Sequence, residues 1–238
     1  MVGGALENIQ VGLTRLGGVL GTDYLIPLSA LELGLQEHST DSILAPTYDP
    51  ALLSRAPAIA ADINHLLTLL PPSTAPLTTP ASPPEPSTPL PPFAIPLVLQ
   101  PVFDRAPPPL SAYINQLRDL ASASSSAPSL MAHSYVRYLG DLSGGQYIGA
   151  RVKKAYKLDG LDGTRFYHFD WGTGEAEGET AAEHKRRLGE VKDWFRRGMD
   201  QGVGDDEQLK GALPLTPLSP RYSDRCWKAV LIVPQRIW

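Results

Sequence analysis

Fifteen of the chain's 24 prolines fall between Pro71 and Pro109, interleaved with serine and threonine. A proline lacks the amide proton that a helix interior or a central strand needs, so this stretch can continue neither. Any core must therefore come from the portions on either side. Residues 71–92 read as a disordered insertion, while the later FAIPLVLQPVFDRAPPP is apolar enough to dock back as extended chain. With 238 residues, 42% of them hydrophobic, the flanking portions suffice for one domain, 1–238, with a sizeable core.

Those portions are patterned as helices. Before the prolines, apolar residues recur at helical spacing through Leu31, Leu33 and Leu35, then through Leu52, Leu53, Ile59, Ile63, Leu66 and Leu67. This predicts two helices with APTYDP as the turn between them, Pro50 in the first turn of the second, and Pro27 at a helix start or a kink. A third helix is expected over Leu110–Ala123, and the longest uninterrupted helical pattern runs from about Ser129 to Leu158. DGLDGTRFYHFDWGTGEAEGET is loop-like, with RFYHFDW read as extended. AAEHKRRLGEVKDWFRRGMD then forms a charged amphipathic helix offering Leu188, Val191, Trp194 and Phe195 to the core. Residues 214–238, rich in proline and ending in a strand-like apolar run, are an atypical tail. No period of about 20 to 50 residues repeats, which excludes a solenoid. The expected fold class is all-α, a multi-helix bundle with a proline-rich disordered insertion.

A formal net charge of −4 offers no general electrostatic reason to expect nucleic acid. The single cysteine, Cys226, excludes an internal disulfide framework and fits a reducing compartment. No apolar run approaches the roughly 20 residues needed to cross a bilayer, so no transmembrane segment is expected. The location expected from these features is cytoplasmic.

Within the long helical pattern, AHSYVRYLGDLSGGQ (132–146) carries three glycines. Each weakens a helix interior by about 1 kcal/mol relative to alanine. Positions three and four apart share a helix face, so Gly140, Ser143 and Gly144 make one smooth patch, which Gly145 widens. Such a patch admits close approach by another helix or by a flat rigid ligand, and adjacent glycines permit a kink. Asp141 sits beside it, where a buried carboxylate needs water or donors. GDLSGGQ has neither the glycine spacing nor the lysine of a phosphate loop.

AHSYVRYLGDLSGGQ resembles the signature of the heme oxygenases, enzymes that open heme to biliverdin with release of carbon monoxide and iron. LELGLQEHSTDSILAPTYDPALLSRAPAIAADI is similar to that family's second and third helices, and KDWFRRGMDQG to a later helix that contacts the heme propionates. The resemblance implies heme, with its iron, as both cofactor and substrate. It also implies O2 as co-substrate and an NADPH-dependent reductase as electron donor. By the same carry-over, Gly140, Ser143 and Gly144 lie over the distal side of the ring, and Asp141 is the catalytic residue, holding a water network that delivers protons. Lys192, Arg196 and Tyr135 receive the propionates, while His133 and Arg137 take supporting roles. A peripheral place at the endoplasmic reticulum is the alternative to a purely cytoplasmic one.

The family holds its iron through one histidine on a first helix. This sequence has no histidine before His38, and counting back at the family's spacing puts the ligand before Met1, so the metal ligand is left unassigned. His38, His65, His168, His184 and Cys226 are read as structural or solvent-exposed. Pro27 stands where the family usually has an aromatic residue near the distal waters, and the tail replaces a helix that closes the pocket. A non-catalytic heme-binding protein, or a degenerate relative lacking the proximal ligand, is the alternative to an active enzyme.

Overall fold

The computed structural model of the chain describes residues 24–69, 108–169 and 180–204. The expectations for 71–92 and 214–238 lie outside the described residues. Within them, every regular element is helical.

Helix α1 spans Ile26–Glu37, with Pro27 in its first turn; Tyr24 and Leu25 before it are already π-helical, so Pro27 does not open the helical run. Its inward stripe is Leu28, Leu31 and Leu35, whereas Leu33 stays on the outer side at 37% exposure. Positions two apart on a helix point in different directions, which is why the three leucines read together from the sequence do not share a face. After a 3-10 turn at Ala45–Thr47, the predicted second helix proves to be two: a short α2, Pro50–Leu53, and α3, Ala56–Thr68. Asp49 accepts the Leu52 amide at 3.1 Å and so starts α2 at the expected Pro50. Pro57 lies in the first turn of α3 and marks a fresh start, which explains the break.

Helix α4 covers Pro108–Ser122, close to its expected bounds, and α5 covers Ala127–Gly140. The chain then continues through a π-helical segment, Asp141–Gly145, directly into α6, Gln146–Tyr156. Arg165–Tyr167 of RFYHFDW is a 3-10 turn rather than extended chain, and only at His168 does the backbone become extended. Its Arg165 and Phe166 amides both donate to the carboxylate of Asp62 on α3, at 2.8 Å each, instead of to a strand partner. Helix α7, Ala181–Val203, opens on a capping box in which Thr180 Oγ1 accepts the Glu183 amide and Glu183 accepts the Thr180 amide. Leu188 and Phe195 are buried, and Val191 and Trp194 pack against the core as expected.

Two glycine contacts set how closely the helices approach. A Cβ on Gly34 of α1 would lie 2.9 Å from Leu130 Cδ2 and 3.3 Å from Ala121 Cβ, so α1 crosses the α4–α5 corner at backbone distance. On α7, a Cβ on Gly198 would lie 2.6 Å from the Pro46 carbonyl oxygen, and one on Gly202 would collide with the Ile43 carbonyl oxygen. These glycines, four apart, let α7 rest on the loop before α2. By contrast, a Cβ on Gly189 would meet nothing within 4 Å among the described residues. Gly202→Ala should destabilise the protein by about 1–3 kcal/mol through overpacking against backbone. Gly189→Ala should be neutral or stabilising by up to ~1 kcal/mol. Urea unfolding of the two variants checks both signs.

Candidate functional site

The three glycines singled out in the sequence straddle the π-helical segment. A π turn inserts an extra residue per turn, and such segments concentrate at functional positions because the regular ladder of hydrogen bonds is interrupted there. Contact with Tyr167 splits the predicted patch in two. Gly145 is buried, and a Cβ on it would lie 3.5 Å from Tyr167 Cδ1. Gly149, one turn on, is tighter: its Cβ would stand 2.7 Å from both Cβ and Cγ of Tyr167. Gly145 therefore belongs to a covered side, a correction to its assignment beside Gly140. Among the described residues a Cβ on Gly140 would meet nothing within 4 Å, Ser143 is exposed and Gly144 half-buried.

Asp141 lies between the two sides. Its side chain is 13% exposed, and Arg137 Nε stands 3.6 Å from Oδ2, an ion-pair contact too long for a hydrogen bond. Asp141 Oδ2 is buried and makes no hydrogen bond among the described residues. Burial pushes the Asp141 carboxyl up to about 6, against the opposing pull of the Arg137 and Arg55 charges. The Arg137 guanidinium is stacked 4.2 Å over the Tyr24 ring, which holds it in place beside the carboxyl.

Helices α5 and α7 meet at Phe195, whose ring is fully buried, with Tyr138 6.3 Å and Tyr135 6.5 Å from it. Tyr135, 37% exposed, is thereby brought to the helix that carries Lys192, one turn before Phe195. Lys192 is half-buried. Arg196 is exposed and its Nη1 donates to Asp193 at 2.9 Å, an ion pair of small energetic weight that a stronger anion would displace.

The histidines serve the bundle. His38 Nε2 lies 3.1 Å from the Ala121 carbonyl and 3.2 Å from Ser126 Oγ, tying the end of α1 to the α4–α5 corner. His133 Nδ1 faces the Tyr113 hydroxyl at 3.4 Å, and burial lowers its basicity. His184 Nε2 donates to Gln146 Oε1 at 3.2 Å. Among the described residues no group of three or more His, Cys, Asp or Glu side chains is arranged to hold a metal ion.

Sequence reasoning passed over two buried carboxylates. Glu32 Oε1 accepts the Arg55 amide at 2.6 Å and the Ala56 amide at 3.3 Å, capping α3 from α1. Burial raises Glu32 to about 7, although those two amides and the Arg55 charge oppose the rise. Asp62 is raised to about 6, again by burial first. A signal was available. Glu32 falls four residues after Leu28, and Asp62 between Ile59, Ile63 and Leu66, so each interrupts an inward apolar stripe. Because these folded-state values lie above the unfolded ones, the stability the groups contribute is full below about pH 4 and lost as pH rises through 6 to 7. The melting temperature should therefore fall between pH 5 and pH 7.5. In Glu32→Gln, which stays uncharged, that fall should be shallower in thermal melts followed by circular dichroism.

A family model described as heme oxygenase matches residues 105–200. The chain is 30% identical over 142 residues to heme oxygenase 2 of Synechocystis sp. PCC 6803, covering 60% of this chain and 44% of that protein. It is 44% identical over 62 residues to a heme oxygenase of Rhodella violacea, covering 26% of each. The chain thus spans less than half the length of these curated relatives. Among solved structures, heme oxygenase-2 from Synechocystis sp. PCC 6803 in complex with heme and NO superposes with a TM-score of 0.53 at 20% identity, covering 93% of this chain and 68% of that one. Heme oxygenase from Leptospira interrogans superposes with a TM-score of 0.55 at 18% identity, covering 94% and 82%. The two structural likenesses establish the shared all-α fold.

Proposed function

We propose that this chain is a heme oxygenase that binds heme against Gly140 and opens the ring to biliverdin, carbon monoxide and ferrous iron, a reading supported by the family-model match over residues 105–200 and by the 30% identity to heme oxygenase 2 of Synechocystis sp. PCC 6803. The reaction takes O2 and electrons from an NADPH-dependent reductase. One observation carries this reading: an uncovered stretch of main chain at Gly140 lies directly beside a buried carboxylate oxygen, Asp141 Oδ2, that makes no hydrogen bond among the described residues.

The residues on this side suit the group. Gly140 presents no side chain, and the open space over it is what a flat macrocycle requires. Heme, when bound, supplies the iron at which oxygen is activated and is itself the substrate. Asp141 Oδ2 accepts a hydrogen bond from water, and a carboxyl titrating near 6 can hold or release a proton close to neutral pH. Arg137 keeps that carboxyl oriented from 3.6 Å. Gly140, Ser143 and Gly144 leave room for the ring on their face and exclude other approach. Lys192 and the Tyr135 hydroxyl receive the propionates, with Arg196 joining them by exchanging Asp193 for a propionate.

A second reading, heme binding without turnover, draws support from His38, His133 and His184, each engaged inside the bundle. A hemin titration of the purified chain, followed by ascorbate turnover in air, separates the two: ring opening gives a biliverdin spectrum, binding alone leaves the Soret band in place. Asp141→Ala should retain hemin uptake and lose biliverdin formation by about 100-fold or more, the scale of a lost proton-transfer group. Gly140→Leu should weaken hemin binding at least ~10-fold by occupying the open face. Full biliverdin yield from Asp141→Ala, or an unchanged titration for Gly140→Leu, contradicts the assigned roles.

A further inference from the structure

Asp62 lies on α3, is fully buried and takes no part in the chemistry just described. Its two oxygens accept the Arg165 and Phe166 amides at 2.8 Å each, so one carboxylate holds the whole 3-10 turn Arg165–Tyr167 from a position 103 residues earlier in the chain. That turn reaches the Asp141 region along two routes. By the first, Tyr167 lies against Gly145 and Gly149: a Cβ on Gly145 would be 3.5 Å from Tyr167 Cδ1 and 3.8 Å from Asp141 Cβ. The ring of Tyr167 and the side chain of Asp141 thus flank the same bare position. The Tyr167 carbonyl also accepts Gln146 Nε2 at 2.6 Å, at the residue where the π-helical segment ends. By the second, Phe166 packs edge-on to Tyr24 at 5.6 Å, and Tyr24 carries the Arg137 guanidinium that pairs with Asp141.

We propose that Asp62 is a positioning residue for Asp141: by clamping the Arg165–Tyr167 turn it sets Tyr167 behind the π-helical segment and Tyr24 beneath Arg137, and so fixes where the Asp141 carboxyl sits and how little water reaches it. The functional weight of the clamp rests on the reading of Asp141 given above; its geometry does not. The groups acting on Asp141 are Arg137 from α5 and Arg55 ahead of α3, which favour its charged form, with the phenols of Tyr138 and Tyr167 beside it. Exclusion of water is the largest influence, so loosening the clamp lowers the Asp141 midpoint.

The test is the carbon-13 titration of the Asp141 side-chain carboxyl in the full hemin-free chain, alongside a hemin titration of the same samples. Asp62→Asn keeps one acceptor and turns an NH2 towards the other amide, so half the clamp is lost. The Asp141 midpoint should then drop from about 6 by at least ~0.5 unit, roughly a threefold fall in proton affinity, towards the ordinary aspartate value near ~3.9. A variant that is less stable but leaves the midpoint in place overturns the proposal, because a merely structural role would do that. Should Asp62→Asn melt without a cooperative transition, Tyr167→Leu decides in the same way: with Asp62 intact and the ring gone, a dropped midpoint supports the clamp and an unmoved one overturns it. A wild-type chain that takes up no hemin while the variant midpoint drops sinks the heme reading and leaves the clamp. Hemin uptake with an unmoved midpoint does the reverse.

Discussion

Tyr167 rests on a length of helix that carries no side chains where it touches. Gly145 and Gly149 are four apart, so their bare Cα atoms line one face; Tyr167 packs on it in ordinary contact range at Gly145 and, at Gly149, at a distance a Cβ would forbid. The dispersion gained by a ring in full contact with backbone helps offset the weakening that glycine brings to a helix. A Cβ on Gly140, by contrast, would meet nothing within 4 Å among the described residues.

Buried carboxylates hold that placement. Glu32 and Asp62 do the same job at two junctions: each leaves its own helix and accepts two backbone amides at the start of a distant element, α3 in one case and the Arg165–Tyr167 turn in the other. An ionised carboxyl in such surroundings is costly unless donors surround it, and first-turn amides are the donors that helices leave unpaired. Asp141 is built differently. Its side chain is slightly more exposed than theirs, and Oδ2, itself buried, has an ion-pair neighbour at 3.6 Å and no hydrogen bond among the described residues. Carboxylates of the first kind are used up by the fold, whereas the second kind is left for something the fold does not supply. This difference, more than the raised proton affinity the three share, is what supports the role proposed for Asp141, while Glu32 and Asp62 use their oxygens to hold distant backbone.

Much of this was legible in the linear pattern. The helix start at Pro50, the inward Leu188 and Phe195, and the continuous run through 132–146 follow from periodicity, proline stereochemistry and capping, all of which act within a few residues. The family signature was legible for the same reason, being one unbroken stretch. Other features were hidden. RFYHFDW has the aromatic and alternating character of a strand, and only the amide-binding Asp62, far away in the chain, makes part of it a turn. Gly145 was grouped with Gly140 by nearness in sequence, and only Tyr167, brought in from a turn more than twenty residues on, covers it.

The order of residues alone determined that the described portion is helical and that main chain is exposed to close approach around 140–145. It also determined that a carboxyl stands beside that strip, since these depend on bonds and side-chain volumes within one or two turns. Which face of the strip is covered, which of three inward carboxyls keeps an unbonded oxygen, and that Gly198 and Gly202 serve the Pro46 and Ile43 carbonyls were decided only in three dimensions. Those outcomes rest on contacts between positions tens to more than a hundred residues apart, and no local propensity records which distant partner a buried group will find.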